Sequence, residues 1–167
     1  MPHLTQHGLT VSHTSEPPVL TLEHVLNAPR ELVFKAWTEP ERLARWFGPR
    51  GWSLPVCTID LRPGGVWHYC MRGPAGEESW GRAVYAEIVP PERLVYTDAF
   101  SDAQGSDNAN MPHSHVSIEL ADLGAKTRLI NRTQFASVAD LQKTLDMGVV
   151  EGMGQTFERL VAFLAEN

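Results

Sequence analysis

The C-terminal stretch from Ser137 to Asn167 constrains the fold most, because it has the pattern of one long amphipathic helix. On a wheel of 3.6 residues per turn its apolar residues gather on one broad side, and its charged residues fall mostly opposite. Ser137 is placed to cap the start, and a helix over 138–165 is about 42 Å long at 1.5 Å per residue. Such a helix must lie against something equally wide.

The apolar side of this predicted helix carries two glycines, Gly148 and Gly152, which are four residues apart and stack on one stripe. Each costs about 1 kcal/mol relative to alanine inside a helix, so either something approaches closely there or space is left open. Two interpretations remain open. One is close helix–sheet packing or a slight kink, and the other is a gap in which a ligand sits.

The order of the other elements predicts an α+β domain. A strand over 19–26 is followed by two short helices that end before Gly51, and then by about six antiparallel strands between 54 and 135. Six to seven strands at about 4.8 Å spacing make a sheet about 30 Å wide, which the C-terminal helix can cross. A twisted sheet wrapped around a helix that it touches only in part encloses a cavity.

The chain of 167 residues fits one domain over 19–167, preceded by a polar, loosely held tail over 1–18. A short strand over 9–12 is the alternative for part of that tail. The net charge of −6 argues against nucleic acid and anionic membrane surfaces as partners. The sequence shows neither a secretory signal nor a spanning segment, which predicts a cytoplasmic protein without membrane insertion.

Five motifs carry a family resemblance. They are Ala28–Thr38, Leu43–Pro49, Asp60–Gly65, Trp80–Gly81 and Glu87–Leu94. In this order they resemble the activator of heat-shock protein 90 ATPase homologue-like family, which belongs to the START and birch-pollen-allergen-like superfamily, also called SRPBCC. The resemblance covers residues 19–165 and implies a helix-grip fold, with the C-terminal helix held by an antiparallel sheet over an apolar cavity.

Two positions depart from the family pattern. Met153 stands where relatives commonly have tryptophan, and His24 stands where they commonly have arginine. Methionine repacks more readily than an aromatic ring, so the first departure implies a softer pocket of different shape.

Aromatic and helix positions are the candidate ligand-binding residues. Large apolar rings with a few hydrogen-bonding groups suit a small hydrophobic or aromatic ligand, although the same rings could simply fill the core. On the strand after Gly65, alternation assigns Trp67, Tyr69 and Met71 to the cavity. His24 shares parity with apolar neighbours and is either a polar group in the cavity or a satisfied core histidine. The full set is Trp46, Trp67, Tyr69, Met71, Trp80, Phe100, Gly148, Gly152, Met153 and His24.

The sequence predicts no cofactor and no native metal site. His113 and His115 share a strand face opposite to the apolar residues of that strand, without a third ligand at local spacing. For acid–base catalysis it offers only single candidates, without a nucleophile beside a base. These are His24, Asp60, Glu87 and Asp98.

Three functions are compatible with these patterns. The first is binding of a small hydrophobic or aromatic molecule between helix and sheet, with access near the polar loop 101–112. The second is an enzyme of cyclase, dehydratase or hydrolase type on an aromatic or polyketide-like substrate, which converging polar groups with perturbed titration would favour. The third, suggested by the family name, is a co-chaperone-like module of the stress response. An exposed sheet edge or helix is also compatible with a homodimer.

Overall fold

A computed structural model describes residues 3–4, 8–106 and 113–166. The strands are β1 His3–Leu4, β2 Thr10–Ser15, β3 Pro18–Leu26, β4 Ser53–Ile59, β5 Val66–Arg72, β6 Glu78–Val89, β7 Arg93–Phe100, β8 Ser114–Asp122 and β9 Thr127–Phe135. The helices are α1 Arg30–Thr38, α2 Pro40–Trp46, α3 Val138–Asp146 and α4 Val149–Ala165. One antiparallel sheet has the order β1-β2-β3-β9-β8-β7-β6-β5-β4, and its concave face holds the core.

The N-terminal region departs from the prediction of a loosely held tail, which is wrong from Thr10 onward. Strand β2 pairs with β3 along its whole length, and Val11 lies opposite Leu22 with both side chains buried. The alternative of a strand near 9–12 is therefore the one found. The sheet has nine strands rather than six to seven because β1 and β2 extend it beyond β3. Residues 1–2 and 5–7 of the predicted tail lie outside the described part.

The C-terminal helix is also different from the prediction, because it is broken into α3 and α4. Gly148 adopts φ +84°, a left-handed conformation that ends α3 and that glycine reaches without a steric penalty. Helix α4 alone spans about 26 Å at 1.5 Å per residue. The break at Gly148 goes beyond the slight kink that the first interpretation of the glycines allowed.

Helix α4 anchors the core through its C-terminal half. Its inward side chains there, Phe157, Leu160, Phe163 and Leu164, are all buried. Arg159 on the same helix donates hydrogen bonds to the carbonyl oxygens of Gly48 at 2.9 Å and Trp52 at 3.0 Å. These bonds tie α4 to the loop after α2 and fix the helix across the sheet. Within the described ranges, no helix combines the length and apolar character needed to cross a bilayer.

Candidate functional site

A cavity of about 360 Å³ lies between the concave face of the sheet and the junction of α3 with α4. Most of its lining is apolar or aromatic, with a few polar side chains among them. The main lining residues come from α1, the loop after α2, strands β5, β6, β7 and β9, and the C-terminal helices with the turn between them. They are Trp37, Phe47, Tyr69, Met71, Trp80, Gly81, Tyr96, Asp98, Phe100, Asn131, Thr133, Lys143, Met147, Val149 and Met153.

Half of the ten residues predicted to bind a ligand border this cavity. They are Tyr69, Met71, Trp80, Phe100 and Met153. Among these five, Trp80 is a special case, because its indole stacks on His68 with ring centroids 5.2 Å apart. His68 alternates with Tyr69 along β5, so the Trp80 ring lies on the convex side of the sheet while its residue borders the cavity.

Two of the predicted tryptophans are core residues that do not line the cavity. Trp46 is fully buried, packs edge-to-face on Trp37 at 4.9 Å, and donates from Nε1 to the Ala36 carbonyl at 3.1 Å. Trp67 does share the concave face with Tyr69, as the alternation predicts, but its ring lies 4.7 Å from the Tyr69 ring and is only 2% exposed. It supports the cavity wall from behind.

Neither glycine of the helical stripe lines the cavity. Gly148 forms the break between α3 and α4, and a Cβ placed on Gly152 would lie 3.7 Å from Pro49 Cγ, an ordinary packing distance. Residues next to them, Met147, Val149 and Met153, line the cavity instead. A connected cavity exists at this end of the helix layer, but the glycines do not create it.

His24 also lies away from the cavity lining. Its Nδ1 is 2.8 Å from the Val25 carbonyl oxygen, and its ring is 6.3 Å from the ring of Phe157. On the other side it approaches Gly8, where a Cβ would lie 3.4 Å from Nε2. The histidine therefore fills space between the N-terminal segment and α4.

The polar centre of the cavity is a hydrogen-bonded pair, Tyr69 and Asp98. Tyr69 Oη donates to Asp98 Oδ1 at 3.2 Å. The two side chains come from β5 and β7, and β6 runs between those strands, with Gly81 opposite Tyr69 and Ala83 opposite Asp98. A Cβ on Gly81 would overlap the Tyr69 ring, so the absence of a side chain there allows the phenol to reach across the strand.

The environment of this pair shifts its titration. Burial raises the pKa of Asp98 to about 6, against the hydrogen bond from Tyr69, which lowers it. Burial and then the Asp98 carboxylate raise the pKa of Tyr69 well above its usual value. The Tyr69 phenol consequently stays protonated near neutral pH. The Asp98 carboxyl group, in contrast, gains or loses its proton at a pH close to neutral.

Two further polar features lie on the lining. On β9, Asn131 is buried, and the Thr133 hydroxyl donates to Asn131 Oδ1 at 3.3 Å. On α3, Lys143 is exposed and lies next to Met147, which is 62% exposed at the end of that helix. The lysine and the methionine therefore mark the solvent-facing side of the cavity.

No cluster of three or more His, Cys, Asp or Glu side chains with metal-binding geometry occurs in the part of the chain that the structure describes. His115 Nδ1 lies 3.0 Å from the Thr97 hydroxyl, with which it forms a hydrogen bond. The two cysteines, Cys57 and Cys70, are free. Burial raises the pKa of Cys57 to about 11, so it remains a thiol near neutral pH.

From the sequence, Asp98 is predicted only as an isolated acid–base candidate, and its position in the cavity is seen first in the structure. The signal was available, because Asp98 shares its strand face with Leu94 and Tyr96, which are both buried. An acid on the apolar face of a strand is a candidate for a functional carboxyl group. No sequence pattern indicates the role of Gly81 in making room for the Tyr69 ring, because that role depends on which side chain lies opposite it on the neighbouring strand.

Comparisons with known proteins agree with this architecture. The family model described as Activator of Hsp90 ATPase homolog 1-like protein matches residues 27–165. A crystal structure of a Mycobacterium smegmatis protein has a TM-score of 0.85 at 30% identity, covering 93% of this chain and 96% of that chain. A solution structure of an Arthrobacter aurescens protein has a TM-score of 0.85 at 29% identity, covering 94% and 91%.

A third similar structure, an X-ray structure of a Nitrosomonas europaea protein, has a TM-score of 0.79 at 30% identity and covers 89% of this chain and 94% of that chain. No curated protein matches this chain. The α+β architecture with one antiparallel sheet and a C-terminal helix is confirmed. The chain therefore belongs to the Activator of Hsp90 ATPase homolog 1-like family, within the START-like superfamily that its motifs resemble.

Proposed function

We propose that this protein binds a small hydrophobic or aromatic molecule in the cavity between the sheet and the α3–α4 junction. The observation that carries the proposal is an unfilled volume of about 360 Å³ within an otherwise packed core. Pockets for small molecules fall in the range of roughly 300–1,000 Å³ and combine apolar walls with a few polar groups. Both properties are present here, and the fold family supports the same class of ligand.

The solvent-facing side of the cavity supports access for such a molecule. Phe100 and Met147 border the cavity and remain 36% and 62% exposed. Apolar side chains exposed together at the rim of a cavity favour contact with an apolar partner. The predicted access loop begins here at Ser101, where the Asp102 carboxylate accepts from the backbone N–H of Ser106 at 2.9 Å. Residues 107–112 of that loop lie outside the described residues.

Native mass spectrometry of the protein as purified, compared with the same sample after denaturation, tests the proposal first. A small molecule that is present in the native spectrum and lost on denaturation is the expected result, and its mass gives its class. For a sample that is ligand-free, titration with the uncharged fluorophore N-phenyl-1-naphthylamine replaces the natural ligand. Its emission rises when it leaves water for an apolar site.

A pair of variants on α4 locates the binding. Met153→Trp places a larger ring on the lining and is expected to weaken fluorophore binding at least tenfold, because it occupies the volume that the ligand needs. Val161→Trp adds a ring on the same helix at a site that is 38% exposed and away from the lining, and it serves as the control. Equal binding by both variants would place the fluorophore elsewhere and contradict the proposal.

The Tyr69–Asp98 pair favours a second candidate function, acid–base catalysis on the bound molecule. A carboxyl group that gains and loses its proton near pH 6, beside a protonated phenol, has the titration that general acid–base catalysis requires. If catalysis occurs, a molecule released from the Asp98→Asn variant should differ in mass from the molecule released from the wild type. Identical bound molecules in both proteins would argue for binding alone.

A further inference from the structure

We propose that the bound molecule carries a protonated amine, which Asp98 holds inside a wall of aromatic rings. This inference rests on the proposed binding function and adds the chemical class of the ligand. It is drawn from the polarity of the groups that face the cavity and from the absence of a basic partner for Asp98 among the described residues.

The polar centre of the cavity presents acceptors. Because the Tyr69 hydroxyl donates its proton to Asp98, the phenol oxygen offers only lone pairs to a ligand. The Asp98 carboxylate is an acceptor when ionised. At this pair a ligand must therefore supply donors, and an ammonium group supplies three and no acceptor.

In the described part of the chain, the carboxylate also has no cationic side chain as a partner. Among the residues that the structure describes, no basic side chain lies within ion-pair distance of Asp98, while eight other ion pairs occur, all between partly exposed side chains. Lys143 also lines the cavity, but it lies on the exposed side of α3. The folded protein has already removed much of the water from Asp98, so a ligand cation would gain a strong electrostatic partner at little further desolvation of the protein.

Aromatic rings surround the same position. Tyr96 and Phe100 flank Asp98 on the concave face of β7, and Phe47 packs edge-to-face on Tyr69 with centroids 5.6 Å apart. All four of these rings line the cavity. Rings attract a cation through the negative charge of their faces, and a carboxylate within a group of aromatic rings is a suitable site for an ammonium group. The rings also bind the apolar part of an amine.

A set of three naphthalene compounds tests this inference. They are 1-naphthylmethylamine, which is cationic at neutral pH, the neutral alcohol 1-naphthalenemethanol, and the anion of 1-naphthoic acid. Their dissociation constants are measured at pH 8 by competition with N-phenyl-1-naphthylamine. We expect the amine to bind roughly ten- to a hundredfold more tightly than the alcohol, as a charge-assisted hydrogen bond predicts, and the acid to bind most weakly.

Two variants assign the preference to one side chain. Asp98→Asn keeps the shape of the side chain and removes its charge, so the ratio of alcohol to amine dissociation constants should fall to near one. Asp122→Asn removes the same charge from an exposed position on β8 whose carboxylate accepts from the Gly124 N–H, and it should retain the wild-type ratio. The comparison separates a local effect from the change in net charge.

If Asp98→Asn fails to fold, the same inference is tested on the wild type by measuring the preference for the amine over the alcohol as a function of pH. The ionisable side chains that line the cavity in the described part are Tyr69, Tyr96, Asp98 and Lys143. Burial raises the pKa values of both tyrosines well above 10, and the lysine has the same charge sign as the amine. Because the pKa of Asp98 is about 6, the preference for the amine should decrease at least severalfold from pH 8 to pH 5.

The outcomes are distinct. An amine preference that is lost in Asp98→Asn, or at pH 5, supports the inference. If the fluorophore binds but the amine is no tighter than the alcohol, the inference is overturned and the binding function stands. Tightest binding of the acid would assign ligand recognition to Lys143 and also overturn it. If none of the naphthalene compounds and no fluorophore binds, the proposed function itself fails.

Discussion

The two ends of the space between the sheet and the C-terminal helices differ in how they are filled. Under the C-terminal half of α4, Phe157 and Leu160 are fully buried within the core. Under the α3–α4 junction the same sheet face leaves a cavity of about 360 Å³, and polar side chains, among them Asp98 and Asn131, occupy inward positions. Both ends use one sheet and one layer of helices, so the difference comes from the side chains that lie at each end.

This difference indicates that one end of the domain supplies most of the packing stability, whereas the other end is less stable and contains the cavity. Close packing at the filled end supplies dispersion and hydrophobic free energy. The cavity end loses such contacts and also carries a carboxyl group whose ionisation is unfavourable there. Functional sites often reduce stability in this way, while the rest of the fold compensates.

Truncation of matched side chains on α4 should show the largest difference. Leu160→Ala removes side-chain atoms from a fully buried position, and we expect it to lower the free energy of unfolding by about 3 kcal/mol. Met153→Ala removes a side chain of similar size from the cavity wall, where one side already lacks contacts, and should cost about 1 kcal/mol. Urea unfolding measures both. Equal losses would contradict the contrast between the two ends.

The next largest effect concerns the charge of Asp98. Its pKa of about 6 in the folded state is above the usual value of 3.8, so the folded protein binds the proton more tightly than the unfolded chain. The stability that this group contributes is complete below about pH 4 and is lost as the pH rises through 6. Asp98→Asn should therefore be more stable than the wild type at pH 8, by at most about 3 kcal/mol, and similar to it at pH 4.

Urea unfolding of wild type and Asp98→Asn across pH 4–8 measures that effect. The difference between the two proteins should grow with pH and level off above pH 7. A constant difference would mean that Asp98 titrates similarly in the folded and unfolded states, and the polar end of the cavity would then be less unfavourable than the structure indicates.

Gly81 allows a further test of the cavity end, because its lack of a side chain leaves room for the Tyr69 ring. Gly81→Ala should destabilise the protein by about 2 kcal/mol, because the new methyl group overlaps the Tyr69 ring and forces it away from Asp98. Combination with Tyr69→Leu, which removes the ring, should recover part of that loss. A double-mutant cycle from urea unfolding gives the coupling between the two positions. Additive effects would show that the two residues do not interact.

The smallest expected effects come from the two glycines at the boundary between the ends. Gly148→Ala should cost about 1 kcal/mol, because φ +84° is strained for any residue with a Cβ. Gly152→Ala should stabilise α4 by up to about 1 kcal/mol, since its helical backbone accepts alanine and Pro49 leaves room. Thermal unfolding distinguishes the two signs. Stabilisation by both would mean that α3 and α4 can join into one helix.

Local sequence patterns are sufficient to predict the order of elements and the fold family. Hydrophobic periodicity identified seven of the strands, the two short helices and an amphipathic C-terminal region, because period and face depend on neighbouring residues in the chain. It also indicated that Tyr69 and Met71 face the same side of β5. The sequence signal for strand β2 is weaker, because its few apolar residues supply little periodicity.

The set of residues that line the cavity follows from long-range packing and not from local sequence patterns. Alternation predicts the sheet face on which Trp67 and Tyr69 lie, but not how far each ring lies from the cavity surface. That distance decides that Tyr69 lines the cavity while Trp67 packs behind it. Glycine at 148 is compatible with a continuous helix or a break, and long-range packing selects the break. The Tyr69–Asp98 pair depends on the order and register of three strands, with Gly81 between the two side chains, and these are non-local properties that no local pattern encodes.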